Sequence, residues 1–96
     1  AGSAGCLLAD RLSAAGRSVA VIEAGGRDRH PYLHIPAGYA RILSHPALTW
    51  GYRTEPDGAT GGRALDYPRG RVLGGSSAIN GLGHVWGDPS DYDLWA

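Results

Sequence analysis

Near the start of the chain, the apolar residues Ala4, Leu7, Leu8, Leu12 and Ala15 return at steps of three and four, while Asp10, Arg11 and Ser13 take the other face. That spacing predicts an amphipathic helix from Ser3 to Ala15, because a 3.6-residue period lines those side chains up in one stripe. Ser3 suits the N-cap, and Gly16 suits the left-handed position past the last turn. The next run, Ser18-Val19-Ala20-Val21-Ile22, is short, β-branched and apolar on both sides. It predicts a strand covered on both faces in a parallel sheet, ended by Gly25-Gly26.

From Arg27 to Pro46 the prolines Pro31, Pro36 and Pro46 break any sustained period. An irregular excursion is expected there, with one short helix near Tyr39 to Leu43. Thr49 to Glu55 and Arg63 to Tyr67 are extended candidates separated by Pro56, Asp57, Gly58, Gly61 and Gly62, which predicts a hairpin with a long, turn-rich tip. After Pro68 the chain enters a second glycine-rich run, where Ser76 or Ser77 is placed to cap a short helix. Asp88-Pro89-Ser90-Asp91 joins a capping acid, a proline at the first helical position and a first-turn acid, so a last helix is expected from there to Ala96. No internal repeat or low-complexity tract interrupts this order.

Composition narrows the classes. With 43% apolar and 19% charged residues the chain is not of the disordered type, and its 16 glycines follow no G-x-y period. They are therefore expected at particular backbone positions. A chain of 96 residues buries well under about 70% of its unfolded surface, so there is little core to spare. Nine Arg balance nine acids and Lys is absent, which leaves no basic surface for nucleic acid. The longest apolar stretch, Val19 to Ile22, is far short of the roughly 20 residues of a membrane span. A lone Cys6 has no internal disulfide partner, and no Cys/His set has zinc spacing, so no metal site is expected and the setting is read as reducing and cytoplasmic. The first residue is Ala and no signal-peptide pattern precedes it, so the chain is expected to be a piece of something longer.

Two glycine clusters carry the candidate chemistry. Ala1-Gly2-Ser3-Ala4-Gly5 fits the second half of a G-x-G-x-x-G fingerprint, in which one glycine admits a pyrophosphate to the backbone and the last lets the helix pack on a strand. The phosphates would meet the exposed amides at the positive end of the first helix. An ordinary glycine-rich loop before a helix explains these five residues equally well. Glu23, at the predicted strand end and 21 positions after Gly2, stands where such a fold places its hydrogen bond to an adenosine ribose. A carboxylate accepts from both ribose hydroxyls and repels a 2′-phosphate, which favours FAD or NAD over NADP. The bland alternative for Glu23 is a solvated acid.

The second cluster is Arg69-Gly70-Arg71-Val72-Leu73-Gly74-Gly75-Ser76-Ser77-Ala78-Ile79-Asn80-Gly81. Its glycines allow close backbone approach, its serines bring hydroxyls, and Asn80 brings a donor and an acceptor. Such a loop is suited to hold the pyrophosphate from the opposite side or to face an isoalloxazine ring. It is not a P-loop, which needs Lys, nor a G-x-S-x-G elbow, since Ala78 and Ile79 stand where glycine is required.

Together with Val21-Ile22-Glu23-Ala24-Gly25-Gly26, Trp50-Gly51-Tyr52-Arg53-Thr54-Glu55-Pro56 and Asp91-Tyr92-Asp93-Leu94-Trp95, these clusters resemble the amino-terminal part of the glucose-methanol-choline oxidoreductases. The branch indicated is that of choline dehydrogenase-like and other alcohol dehydrogenases or oxidases. The resemblance implies an α/β fold: a partial Rossmann-like FAD-binding domain over 1–96, a truncated β-α-β unit with an added hairpin and short helices. The first strand and the carboxyl-terminal substrate and catalytic region would lie outside it. It also implies a flavin enzyme that oxidises a primary alcohol by hydride transfer to FAD, with oxygen or a quinone taking the electrons.

Carried over by position, Gly2, Ser3, Ala4 and Gly5 would cradle the pyrophosphate and Glu23 would bind the ribose. Val72, Ser76, Asn80, Gly81, Leu82 and Gly83 match family positions around the flavin. Some relatives tether FAD through a His where this chain has Ile79, so FAD is expected to be non-covalent. The family's catalytic base has no counterpart here, and no catalytic residue is assigned. His30 and His34 stand four apart with Pro31 between them and no third ligand, so these histidines, like His84, are read as packing or surface groups. Two other readings stay open: a relative retaining FAD without net redox, as the family's hydroxynitrile lyases do, and a truncated, non-catalytic nucleotide-binding module or unfolded fragment; the run at Gly70 to Gly81 argues against an NAD-dependent dehydrogenase sharing only the first motif.

Overall fold

The computed structural model describes residues 1–96. Helix α1 spans Ser3–Ala14, and the residue that caps it is Gly2, not Ser3. Gly2 has extended backbone and no side-chain cap, while Ser3 is already the first helical residue. At the other end Gly16 takes φ 75°. Its N–H donates to Ser13 O at 2.9 Å and that of Arg17 donates to Leu12 O at 3.0 Å, the paired bonds that close a helix through a left-handed glycine. The predicted helix is therefore present within a residue. Its apolar stripe is uncovered, with Leu8 still 61% exposed.

The predicted buried strand is not formed. No residue from Ser18 to Ile22 pairs with a neighbour, and Ile22 is 91% exposed. A strand owes all its backbone bonds to adjacent strands, and no other part of these residues lies beside this one. The expected sheet is reduced to isolated bridges. One, parallel, joins Gly26 to Val72, with Leu73 N–H donating to Gly26 O at 2.9 Å. The others, antiparallel, join Thr49 to Gly70 and Arg53 to Asp66.

Those two antiparallel bridges share one register with the bonds from Trp50 N to Arg69 O, Tyr67 N to Tyr52 O and Thr54 N to Leu65 O. The predicted arms do pair, and the pairing runs on past Tyr67 to Arg69 and Gly70. The ladder fails midway because Gly51, at φ 64°, leaves the extended conformation opposite Pro68. Asp57 caps the tip at Gly58–Thr60, where Gly61 and Gly62 turn the chain back at positive φ.

In the excursion, Pro31–Leu33 and Pro36–Gly38 form 3-10 turns with proline at the first position, followed by the four-residue helix α2, Tyr39–Ile42. Helix α3, Pro89–Trp95, begins at Asp88, whose Oδ1 accepts from Ser90 N at 2.9 Å and Ser90 Oγ at 2.7 Å. Ser90's hydroxyl and then its amide hold the Asp88 carboxyl below the ordinary aspartate range.

The core is small. Ile42, Leu48, Val72 and Ile79 are buried together, with Tyr32, Leu33, Leu43 and Ala78 packed against them. This cluster clamps the excursion onto the second glycine run. Around it the chain is open: its radius of gyration is 16.8 Å, against about 12–13 Å for a compact domain of this length. It exposes 7582 Å², against about 5,200 Å² expected.

Gly25 and Gly26 give the fold a direct test. A Cβ at Gly25 would overlap the Arg71 carbonyl and Val72 N, whereas Gly26 has nothing within 4 Å. We expect Gly25→Ala to destabilise the protein by about 3 kcal/mol, the upper end for overpacking, and Gly26→Ala by much less. Urea unfolding of the two variants checks this; equal losses would contradict the close approach.

Candidate cofactor-binding site

The two glycine clusters, some seventy positions apart in sequence, meet backbone to backbone. Gly74 N–H donates to Ala1 O at 2.7 Å. A Cβ at Gly75 would lie 3.1 Å from Gly2 Cα, and Gly75 itself sits at φ 60°. A side chain at Gly75 would crowd Gly2, whereas one at Gly2 would meet Gly74 O and Gly75 Cα at 3.8 Å, an ordinary contact.

Beside this contact stands the open end of α1. The first amide of that turn to find an acceptor is Cys6 N, bonded to Gly2 O at 2.9 Å. The N–H groups of Ser3, Ala4 and Gly5 have no acceptor within the chain. Three unpartnered donors at the positive end of a twelve-residue helix suit an anion such as pyrophosphate. Gly5 has open space around it. The close strand packing expected of it has no partner among these residues.

Glu23 flanks the same place. Its Oε2 accepts from Ala1 N at 2.6 Å and its Oε1 from Gly25 N at 2.8 Å. The hydrogen bond from the Ala1 ammonium, then that from Gly25 N–H, lowers the carboxyl below its ordinary 4.5. An ionised carboxylate has about four acceptor sites, so two bonds leave room for vicinal hydroxyls. The residues present thus fit a dinucleotide at both its phosphate and its ribose.

In the second cluster, Gly75–Ala78 forms a 3-10 turn capped by Gly74 at φ 98°. Neither serine is the cap. Ser77 Oγ donates to Gly74 O at 2.6 Å, and Ser76 Oγ accepts from Gly70 N at 3.1 Å, so both hydroxyls brace the loop. Asn80 does likewise, with Nδ2 donating to Ser77 O at 3.1 Å and Oδ1 accepting from Leu82 N at 2.9 Å. Val72 is fully buried, so only its backbone is available to a ligand. Gly81, Leu82 and Gly83 are exposed.

The sequence marks Gly25 as a strand end and Gly70 as one glycine of a run; neither shows its real constraint. Gly70 faces the Gly75 carbonyl so closely that no Cβ fits. The histidines hold backbone: His30 Nδ1 accepts from Tyr32 N and His45 Nδ1 from Ala47 N, each at 3.3 Å. His34 Nε2 is paired with Asp28 O at 2.5 Å, and His84 stands edge-on to Trp86.

No protein-family model matches the chain. Individual relatives do. It is 47% identical over 96 residues to an oxygen-dependent choline dehydrogenase of Photobacterium profundum, covering 99% of this chain and 17% of that protein. It is 45% identical, with the same coverage, to an alcohol dehydrogenase [acceptor] of Pseudomonas putida. Among solved structures, the crystal structure of pyridoxine 4-oxidase from Mesorbium loti superposes with a TM-score of 0.81 at 43% identity, covering 98% of this chain and 18% of that one. The chain belongs to the glucose-methanol-choline oxidoreductases.

This glucose-methanol-choline segment spans less than a fifth of the length of these relatives. Its backbone path, sparse in strand as it is, is that of the matching part of a solved oxidase. No helix is long and apolar enough to cross a membrane.

The Glu23 carboxyl, depressed in the folded chain, contributes its bonds fully above its ordinary 4.5 and loses them as the pH falls through the lower folded value. In the chain beginning at Ala1, a carbon NMR titration of Glu23 is expected to give a midpoint below 4.5. A midpoint at or above it would contradict the paired geometry.

Proposed function

We propose that this segment binds and positions FAD in a flavin-dependent oxidoreductase acting on a primary alcohol. The observation that carries the reading is the backbone contact of Gly2 with Gly74 and Gly75 at the unpartnered amide end of α1. In this assignment Gly2, Ser3, Ala4 and Gly5 hold the pyrophosphate and Glu23 the adenosine ribose. Val72 through its backbone, with Ser76, Asn80, Gly81, Leu82 and Gly83, borders the flavin. Residues 1–96 are then part of an FAD-binding domain whose sheet is completed by chain outside them. That accounts for the uncovered stripe of Leu7, Leu8 and Leu12 and for the bare Ile22.

FAD, when bound, supplies the two-electron acceptor for a hydride from the alcohol carbon. The hydroxyl proton leaves to a base outside these residues, the product is the aldehyde, and oxygen or a quinone takes the electrons on. The segment contributes placement and anion stabilisation. Ile79, buried where some relatives carry a tethering histidine, offers no atom for a covalent bond, so the flavin is held non-covalently. The lone Cys6 fits a reducing, cytoplasmic setting.

The full-length protein carrying this segment is expected to purify yellow, to release its flavin on acid denaturation, and to bleach when a primary alcohol is added without oxygen. A colourless protein that releases no flavin would overturn the reading. The 96-residue chain alone, with its open surface, is expected to bind FAD more weakly than micromolar. Micromolar or tighter binding by calorimetry would show that the missing sheet is not needed.

A further inference from the structure

Leu82 is the one residue other than glycine at positive φ, 60°, and its branched side chain is 69% exposed, so packing does not hold it there. A left-handed conformation is disfavoured for such a residue by about tenfold, and it persists where the surroundings impose it. The imposing group is Asn80. Its Oδ1 accepts from Leu82 N–H at 2.9 Å, and its Nδ2 donates to Ser77 O at 3.1 Å. The carboxamide uses its acceptor on the loop ahead and its donor on the turn behind, a division that a carboxylate, with no donor, cannot reproduce.

These bonds are the last links of a line that begins at the first glycine cluster. Gly74 N–H donates to Ala1 O, Ser77 Oγ to Gly74 O, Asn80 Nδ2 to Ser77 O, and Leu82 N–H to Asn80 Oδ1. The line thus joins the turn beside the free amides of α1 to the exposed stretch Gly81, Leu82 and Gly83. Tyr39 backs Gly81 from across a groove, where an added Cβ would meet its ring at 3.5 Å. Leu82 has no such backing. With its N–H tied to Asn80, its left-handed turn sets where the next amide, Gly83 N–H, points, and that amide has no acceptor within the chain.

We propose that Asn80 is a positioning residue for the flavin: its side chain does not bind the cofactor but holds Leu82 left-handed, and so sets the backbone of Gly81, Leu82 and Gly83. The inference rests on the FAD-binding reading above. It makes Asn80 border the flavin as a brace rather than as a ligand, and it ties the shape of the flavin end to the contact of the two glycine clusters.

The test uses the full-length protein, freed of flavin, with FAD and ADP as probes in calorimetry. ADP carries the adenosine and pyrophosphate assigned to Glu23 and α1, and no flavin. Asn80→Ala is expected to weaken FAD by about tenfold, the preference that a released Leu82 follows, and to leave ADP within about twofold. In a Leu82→Gly background, where glycine takes φ > 0 about as readily as φ < 0, the same change at Asn80 should cost only about twofold. Asn80→Asp keeps the acceptor for Leu82 N–H and should cost less than Asn80→Ala; it reads the same coupling where the Ala variant does not fold. No loss of FAD on changing Asn80, an equal loss in both backgrounds, or an equal loss of ADP overturns this inference alone. A full-length protein that binds no FAD before any substitution overturns the reading beneath it as well.

Discussion

The approach of Gly2 to Gly74 and Gly75 governs the arrangement of everything near the site. A Cβ at Gly75, itself at positive φ, would lie 3.1 Å from Gly2 Cα, so Gly75 lets the two backbones meet, and the Gly74 N–H bond to Ala1 O fixes their separation. From that contact the start of α1 takes its direction, and the chain after Gly75 must turn at once into Ser76 and Ser77. The same principle acts again at Gly25, pressed on Arg71, and at Gly70, pressed on Gly75.

The small core has a matching task. Ile42, Leu48, Val72 and Ile79 join the excursion to the second glycine run. Arg71 adds a tie by donating to Pro46 O at 3.1 Å. One side of that run therefore faces the turn at Gly2, and the other faces the groove behind Tyr39. The polar side chains within it, Ser76, Ser77 and Asn80, spend most of their bonds holding the loop's shape. In the proposed reading, anion binding falls to the amides of α1 and ribose recognition to Glu23.

Local features were legible wherever a residue type dictates its own backbone. The stripe of α1, the left-handed Gly16, the Asp88-Pro89 helix start and the short helix at Tyr39 follow from period, cap and proline chemistry over a few residues. The hairpin partners were legible from the turn-rich tip. The caps of α1 and of the Gly75–Ala78 turn were misplaced by a residue or more, because serine and glycine compete for the same position and the winner depends on what lies opposite. At both places another backbone approaches, and glycine takes the cap.

By itself, then, the sequence determined the helix periods, the caps set by Asp and Pro, the pairing of the hairpin arms, and the residue types from which family membership could be read. The tertiary structure alone decided that Ser18 to Ile22 forms no strand here, since β structure resides in bonds to neighbours rather than in the segment. It alone brought the two glycine clusters into contact, turned the Val72 side chain into the core, and revealed why Gly25 and Gly70 admit no side chain. Those properties depend on which segments lie side by side across long stretches of chain, and short-range residue chemistry carries no record of that.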